Sequence, residues 1–168
     1  NNQGTVASNG TAAGTARGDI AAAGYGGDKA LFAYGDNAGV KGMTNLVSNQ
    51  GVVASDTAAV SGSVNRSACG GAGYGVGLAI FAYGTTGSFT NVSNKVNFQG
   101  VVQSSSTGVG TARTSIAAAS YGGDKAIFAY GGYSPNVNTR NLVSNTGVVA
   151  ADATGAGTAR YDLTALGN

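Results

Sequence analysis

Four arginines, Arg17, Arg66, Arg113 and Arg160, recur in steps of 49, 47 and 47 residues. A guanidinium is planar, always charged and carries five donors. Such a series could form a basic track for an anion, or tie loop carbonyls together at the junctions of a repeat. The second reading is the more economical. Only 10% of the residues are charged and the net charge is +2, too little and too scattered to argue for nucleic acid or an anionic membrane.

Other groups repeat in the same phase. Asp28 and Asp124 are equivalent, with Gly77 between them, and Asp56 and Asp152 are equivalent, with Ser104 or Ser105 in the middle copy. Paired carboxylates could hold Ca²⁺ or share acid–base work, whereas spread aspartates more simply stabilise turns through nearby backbone. Tyr25, Tyr74 and Tyr121 could stack sugars as an aromatic ladder, or pack with a tethered hydroxyl. Gly73-Tyr-Gly-Val-Gly has the look of a nucleotide loop, but no strong helix follows and the phosphate-binding lysine is missing. Histidine and glutamate are absent, which excludes imidazole catalysis, histidine metal sites and Ser-His-Asp triads. The expectation is no enzyme, no catalytic residue, no cofactor and no metal. Cys69 is the only cysteine, so no intrachain disulfide forms and a buried, inert thiol is expected. Asn9, Asn65 and Asn91 open Asn-x-Ser/Thr sequons and are candidate N-glycosylation sites if the protein is extracellular.

These residues sit on a repeated frame. Gly24-Tyr-Gly-Gly-Asp-Lys-Ala-Leu-Phe-Ala-Tyr-Gly35 returns as Gly73-Tyr-Gly-Val-Gly-Leu-Ala-Ile-Phe-Ala-Tyr-Gly84 and as Ser120-Tyr-Gly-Gly-Asp-Lys-Ala-Ile-Phe-Ala-Tyr-Gly131. Asn45, Asn94 and Asn141, and the Gly-Val-Val triplets from Gly51, Gly100 and Gly147, keep the same steps. In one unit the pattern predicts strands over 19–23, 29–34, 44–47 and 52–55. The second is apolar on both faces and should lie between layers. Gly, Thr, Val, Ser and Asn favour strands and turns over helix. Three stretches of uneven composition, 36–42, 85–88 and 132–138, read as loops.

The fold expected is therefore all-β: about three four-stranded repeats of 47–49 residues plus an incomplete unit, propeller-like or a stacked β array. The whole chain reads as one repeat domain, divided as 1–17 (partial unit), 17–65, 66–112, 113–159 and 160–168 (partial unit). Four copies of the Gly-x-Val…Arg portion stand beside three of the Phe-Ala-Tyr strand, so either more repeats lie outside this chain or chains associate. Thr5, Val6 and Ala7 are the candidate assembly strand, added to an exposed sheet edge. No apolar run of about 18 residues is present, so no membrane insertion is expected.

The layout Arg-x-x-apolar-Ala-Ala, a glycine turn, then apolar-Phe-Ala-Tyr-Gly resembles the kelch repeat, most closely in the third copy with Gly131-Gly132. The kelch tryptophan is missing throughout. The uniform repeats, with Asn-Leu-Val-Ser-Asn at 45–49 and 141–145, also resemble uncharacterised repeat proteins of phages and aquatic microbes. That resemblance implies a structural or surface role, extracellular or on a virion. The partner expected is the protein itself, as a homo-oligomer or filament. A glycan or surface receptor bound through the loops is the alternative.

Overall fold

The computed structural model describes residues 10–59, 61–132 and 135–167. Ten strands and no helix are described: β1 (Ala21–Tyr25), β2 (Lys29–Ala33), β3 (Thr44–Val47), β4 (Gly70–Tyr74), β5 (Leu78–Ala82), β6 (Ser93–Val96), β7 (Ala117–Tyr121), β8 (Lys125–Ala129), β9 (Thr139–Val143) and β10 (Ala153–Thr154). They form three antiparallel sheets, β1-β2-β3, β4-β5-β6 and β10-β9-β8-β7. The first two strands of each sheet are a hairpin, with Tyr25 opposite Lys29 in the first. Its turn needs two left-handed residues, and Gly26 and Gly27 supply them (φ 63° and 85°).

The sheets stack face to face, β1 against β4 and β5, and β4 against β7 and β8. Alternation along each second strand decides which side chains meet. Leu31 and Ala33 face forward onto Ala79, Phe81, Val96 and Val102. Ile80 and Ala82 face forward onto Ala126, Phe128 and Val143. In β5 both faces are therefore buried, from Ala79 to Ala82. Tyr34 meets Phe81 edge-on at 5.5 Å, and Tyr83 meets Phe128 in the same way at 5.6 Å.

The first strands approach more closely than these side chains would allow. A Cβ on Gly71 would lie 2.7 Å from the Ala22 carbonyl, and one on Gly73 would lie 3.3 Å from that of Gly24. Only glycine, alanine and serine fit in this row, which accounts for Ala-Ala-Ala-Gly, Gly-Gly-Ala-Gly and Ala-Ala-Ala-Ser at the starts of β1, β4 and β7. Backbone bonds tie the first strands at both ends. Ala68 N–H donates to Asp19, Ser115 to Ala68 and Asp162 to Ser115, at 3.0, 2.9 and 3.1 Å. All four residues are left-handed, at φ 49–54°. At the hairpin end Gly26 donates to Gly77, and Gly75 to Asp124.

Two details depart from the pattern read in the sequence. The first strand begins at Ala21 rather than at residue 19, because Asp19 is the left-handed rung of that ladder. The expected fourth strand, 52–55, is present in the first two units only as isolated bridges, Val47 to Val53 and Thr44 to Thr57. Three steps on β3 thus face four on its partner. The offset recurs as Val96–Val102 with Ser93–Ser106, and as Val143–Val149 with Arg140–Ala153. One extra residue per unit is a β-bulge, and it interrupts the ladder. Among the described residues the three sheets form no closed ring.

The period of 49 against 47 is also localised. Counting from the tyrosine to the asparagine and on to Asp56, Ser105 or Asp152 gives equal intervals in all three units. The two additional residues of the first unit lie in the linker between Asp56 and Arg66.

Candidate functional site

The most elaborate chemistry in the molecule is the junction around each arginine. Its parts come from three places in the chain. The end of the second strand delivers a tyrosine, the third strand an asparagine, and the bulge an acidic or hydroxyl residue. Arg113 shows the arrangement. Its Nε donates to the Tyr130 carbonyl at 2.8 Å, Nη2 to Asn141 Oδ1 at 2.7 Å and Nη1 to the Thr111 carbonyl at 3.1 Å. Asp152 Oδ1 lies 3.9 Å from Nη1 and accepts from Asn141 Nδ2 at 2.9 Å. Asp152 Oδ2 accepts from the Thr111 N–H and hydroxyl. Arg17 repeats this on Tyr34, Asn45, Thr15 and Asp56.

The middle unit varies the chemistry. Arg66 donates to Asn94 Oδ1 and to the Val92 carbonyl. Ser105 stands where the aspartates stand and accepts from Val64 N–H and Asn94 Nδ2, each at 3.1 Å. This exchange has a steric counterpart. A Cβ on Gly14 or Gly110 would overlap the carboxylate of Asp56 or Asp152. Where the carboxylate is replaced by Ser105, the glycine is replaced by Ser63.

Three of the arginines also grip the preceding unit. The Arg66 guanidinium lies 4.6 Å over the Tyr34 ring, Arg113 lies 4.1 Å over Tyr83 and Arg160 lies 4.4 Å over Tyr130. Desolvated, such a cation–π contact is worth about 2 kcal/mol. The three tyrosines have φ of 64°, 64° and 60°, which a bulky side chain adopts only under constraint. Burial pushes the Tyr34 hydroxyl upward in pKa, with Arg66 opposing, so it stays protonated while accepting from Arg66 at 3.2 Å. Hydrogen bonds from Thr15 and then Asn45 hold the Asp56 carboxyl below the usual range. At Asp152 burial alone would raise it, but the bonds from Thr111 and Asn141 prevail and it too is lowered.

Arg66 and Arg113 are wholly buried, so the two present no track for an anion. Tyr25 and Tyr74 are buried as well. Their rings lie against Gly100 and Gly147 of the following unit, where a Cβ would come within 2.8 and 2.7 Å. They offer no open ladder to a sugar. Tyr121, half-buried, is the remaining member of that series. Asp28 accepts from Asn49 Nδ2, and Asp124 pairs with Lys125 at 2.9 Å on the surface. The middle copy lacks this aspartate because Gly77 takes a left-handed conformation there, one position later than Gly27 and Gly123 do. Among the described residues, no group of three or more His, Cys, Asp or Glu could hold a metal. No helix there is long and apolar enough to cross a membrane. Cys69 is buried, and burial pushes its thiol up to about 11.

Of the sequons, Asn65 is exposed. Asn91 uses the amide nitrogen to which a glycan would attach to donate to the Gly110 carbonyl at 2.6 Å. Asn9 and the assembly strand Thr5, Val6 and Ala7 lie outside the described residues.

Sequence reasoning found the arginines and missed their partners. Tyr34, Tyr83 and Tyr130 served only to mark a strand, and Asn45, Asn94 and Asn141 only to mark a period. Their recurrence in phase with the arginines was the available signal. No protein-family model and no curated protein matches the chain.

Proposed function

We propose that this chain is a non-enzymatic structural protein that self-assembles by adding repeat unit upon repeat unit, as an extracellular fibre or a virion-associated multimer. The observation that carries the reading is the identity of successive interfaces. The second and third units each lay an arginine on the tyrosine before it and donate a backbone N–H to the left-handed residue before it. An interface used repeatedly in one orientation is heterologous, and heterologous contacts build rings if the rotation closes and filaments if it does not. The close approach of the first strands beside the bulkier second strands supports a wedge between sheets of the kind a kelch-like propeller uses. Apart from Arg66 Nε, which is buried without a partner, the polar groups of the junction are engaged with one another, which suits a mechanical role over a catalytic one.

Negative-stain electron microscopy and sedimentation over a concentration series test this. Rings or fibres that grow with concentration are expected. A strictly monomeric particle at the highest concentration overturns it.

A second reading is a binding module recognising a glycan or surface receptor through 36–42, 85–88 and 132–138. It is favoured by one observation: these loops lie within equal intervals, Tyr34 to Asn45, Tyr83 to Asn94 and Tyr130 to Asn141, yet share few residues. A glycan array probed with the purified chain tests it, and no enrichment on any glycan counts against it.

A further inference from the structure

We infer that the outer face of the first sheet is a docking surface for a second copy, which seats it on the third sheet by displacing residues 160–167. This rests on the assembly reading and names the two surfaces involved.

Among the described residues no sheet packs on the outer face of the first, and its side chains show what that face lacks. Ile20 is 44% exposed, while its equivalents Cys69 and Ile116 are 8% and 7% exposed. Val53 is 37% exposed and Val102 is 7%. Phe32 is half-buried where Phe81 and Phe128 are fully buried. Arg17 has the same Asn and Asp partners as Arg113 but, among the described residues, no tyrosine ring beneath it. The face is thus apolar at the positions that the two internal interfaces bury, with an arginine ready for a ring.

The third sheet has the complementary face, partly covered. Residues 160–167 follow the course of a further first strand. Arg160 lies on Tyr130, Asp162 continues the backbone ladder from Ser115, and Gly167 lies against Ser120. This segment has no strand partner among the described residues. Beside it an apolar groove of about 320 Å³, lined by Ala117, Ala119, Ile127, Ala129 and Tyr130, stays open. In the internal interfaces the corresponding space is filled by Phe81 and Phe128, each on its tyrosine. The first sheet of a second copy carries what the groove lacks: Phe32 on β2, with residues 20–24 in place of 163–167 and Arg17 in place of Arg160. The incoming sheet and the resident segment compete for one seat. Apparent affinity is then reduced by the fraction of time the seat is occupied.

The test uses the full chain with Cys69→Ala, carrying either Asp19→Cys or Ser115→Cys. On docking, residue 19 of one copy takes the place of residue 162 beside residue 115 of the other. Mixed and oxidised, the two variants are expected to give a disulfide-linked heterodimer, and each alone far less. Adding Ile20→Lys should abolish it with the fold intact by circular dichroism. Removing 160–168 should tighten association about tenfold by sedimentation, as expected when a competing segment is lost. Larger species that form without the 19–115 cross-link would overturn this assignment and leave self-assembly standing. No larger species from either chain length would overturn both. A deletion that leaves association unchanged would overturn the displacement.

Discussion

Replacing Gly110 by serine should do more damage than a single glycine normally allows, and a second serine should undo part of it. Gly110 has φ of 73°, and its α-carbon faces the Asp152 carboxylate so closely that any Cβ overlaps it. Forcing an L-residue into that conformation costs about 1–2 kcal/mol. Pushing the carboxylate away forfeits its bonds from Thr111 and Asn141, at about 1 kcal/mol each. With three such bonds, Gly110→Ser should therefore lose about 4–5 kcal/mol in total. Asp152→Ser alone removes the carboxylate and should lose about 2 kcal/mol. The middle unit shows how the pair is reconciled, since Ser63 and Ser105 coexist there. The double variant should fall short of the sum by about 1–2 kcal/mol, the signature of neighbours that share a clash. Recovery stays incomplete, because Ser63 is not left-handed whereas Gly110 is. Urea unfolding followed by circular dichroism measures all four corners of the cycle, with the slope checked for constancy. Additivity within about 0.5 kcal/mol would refute the coupling.

Acid should expose the same network. Asp56 and Asp152 have folded pKa values below the ordinary one, so their contribution is present above about pH 4 and lost as pH falls further. Thermal melts from pH 6 to pH 2 should steepen below about pH 4, and an Asp56→Ser, Asp152→Ser chain should lose that part of the fall; coincident profiles would contradict the account. Tyr83→Leu removes the ring beneath Arg113 and beside Phe128 and should cost about 3 kcal/mol. Tyr83→Phe loses only a bond to the Val109 carbonyl and should cost about 1 kcal/mol; equal losses in urea would show that the ring is not what matters. The buried Cys69 thiol should react slowly with a thiol reagent at pH 8 in the native protein and completely in denaturant, and prompt native labelling would contradict its burial.

How much of this was legible in the chain itself follows from sequence distance. The second strands were readable because Leu31, Phe32, Ile80 and Phe81 make both faces apolar within five residues, and the hairpin turns because their glycines are contiguous in the first and third units and separated by one residue in the middle one. The arginine junction was half readable. Arg113 meets Asn141 28 residues away and stacks on Tyr83 of the unit before, and neither distance is a property of any local window. The bulge left no mark at all. The strand expected over 52–55 holds Val53 and stops short of Thr57, and only the pairing of both with Val47 and Thr44 reveals the extra residue that turns Asp56 inward. Whether sheets fan into a ring or run as an open stack depends on the difference between two spacings, that of the first strands and that of the second. Composition gave the small residues of one and the large residues of the other without the angle between them.

The ladder through residues 19, 68, 115 and 162 has a consequence for inheritance. The step from unit to unit is set there by main-chain groups, which aspartate, alanine and serine supply equally well. The linker between the bulge and the next arginine takes up length differences, as the two additional residues of the first unit show. Unequal crossing-over between such units would lengthen or shorten the array by whole members, and each product would meet its neighbour in register without any compensating change. The gene can vary the number of units while the spacing between them stays the same.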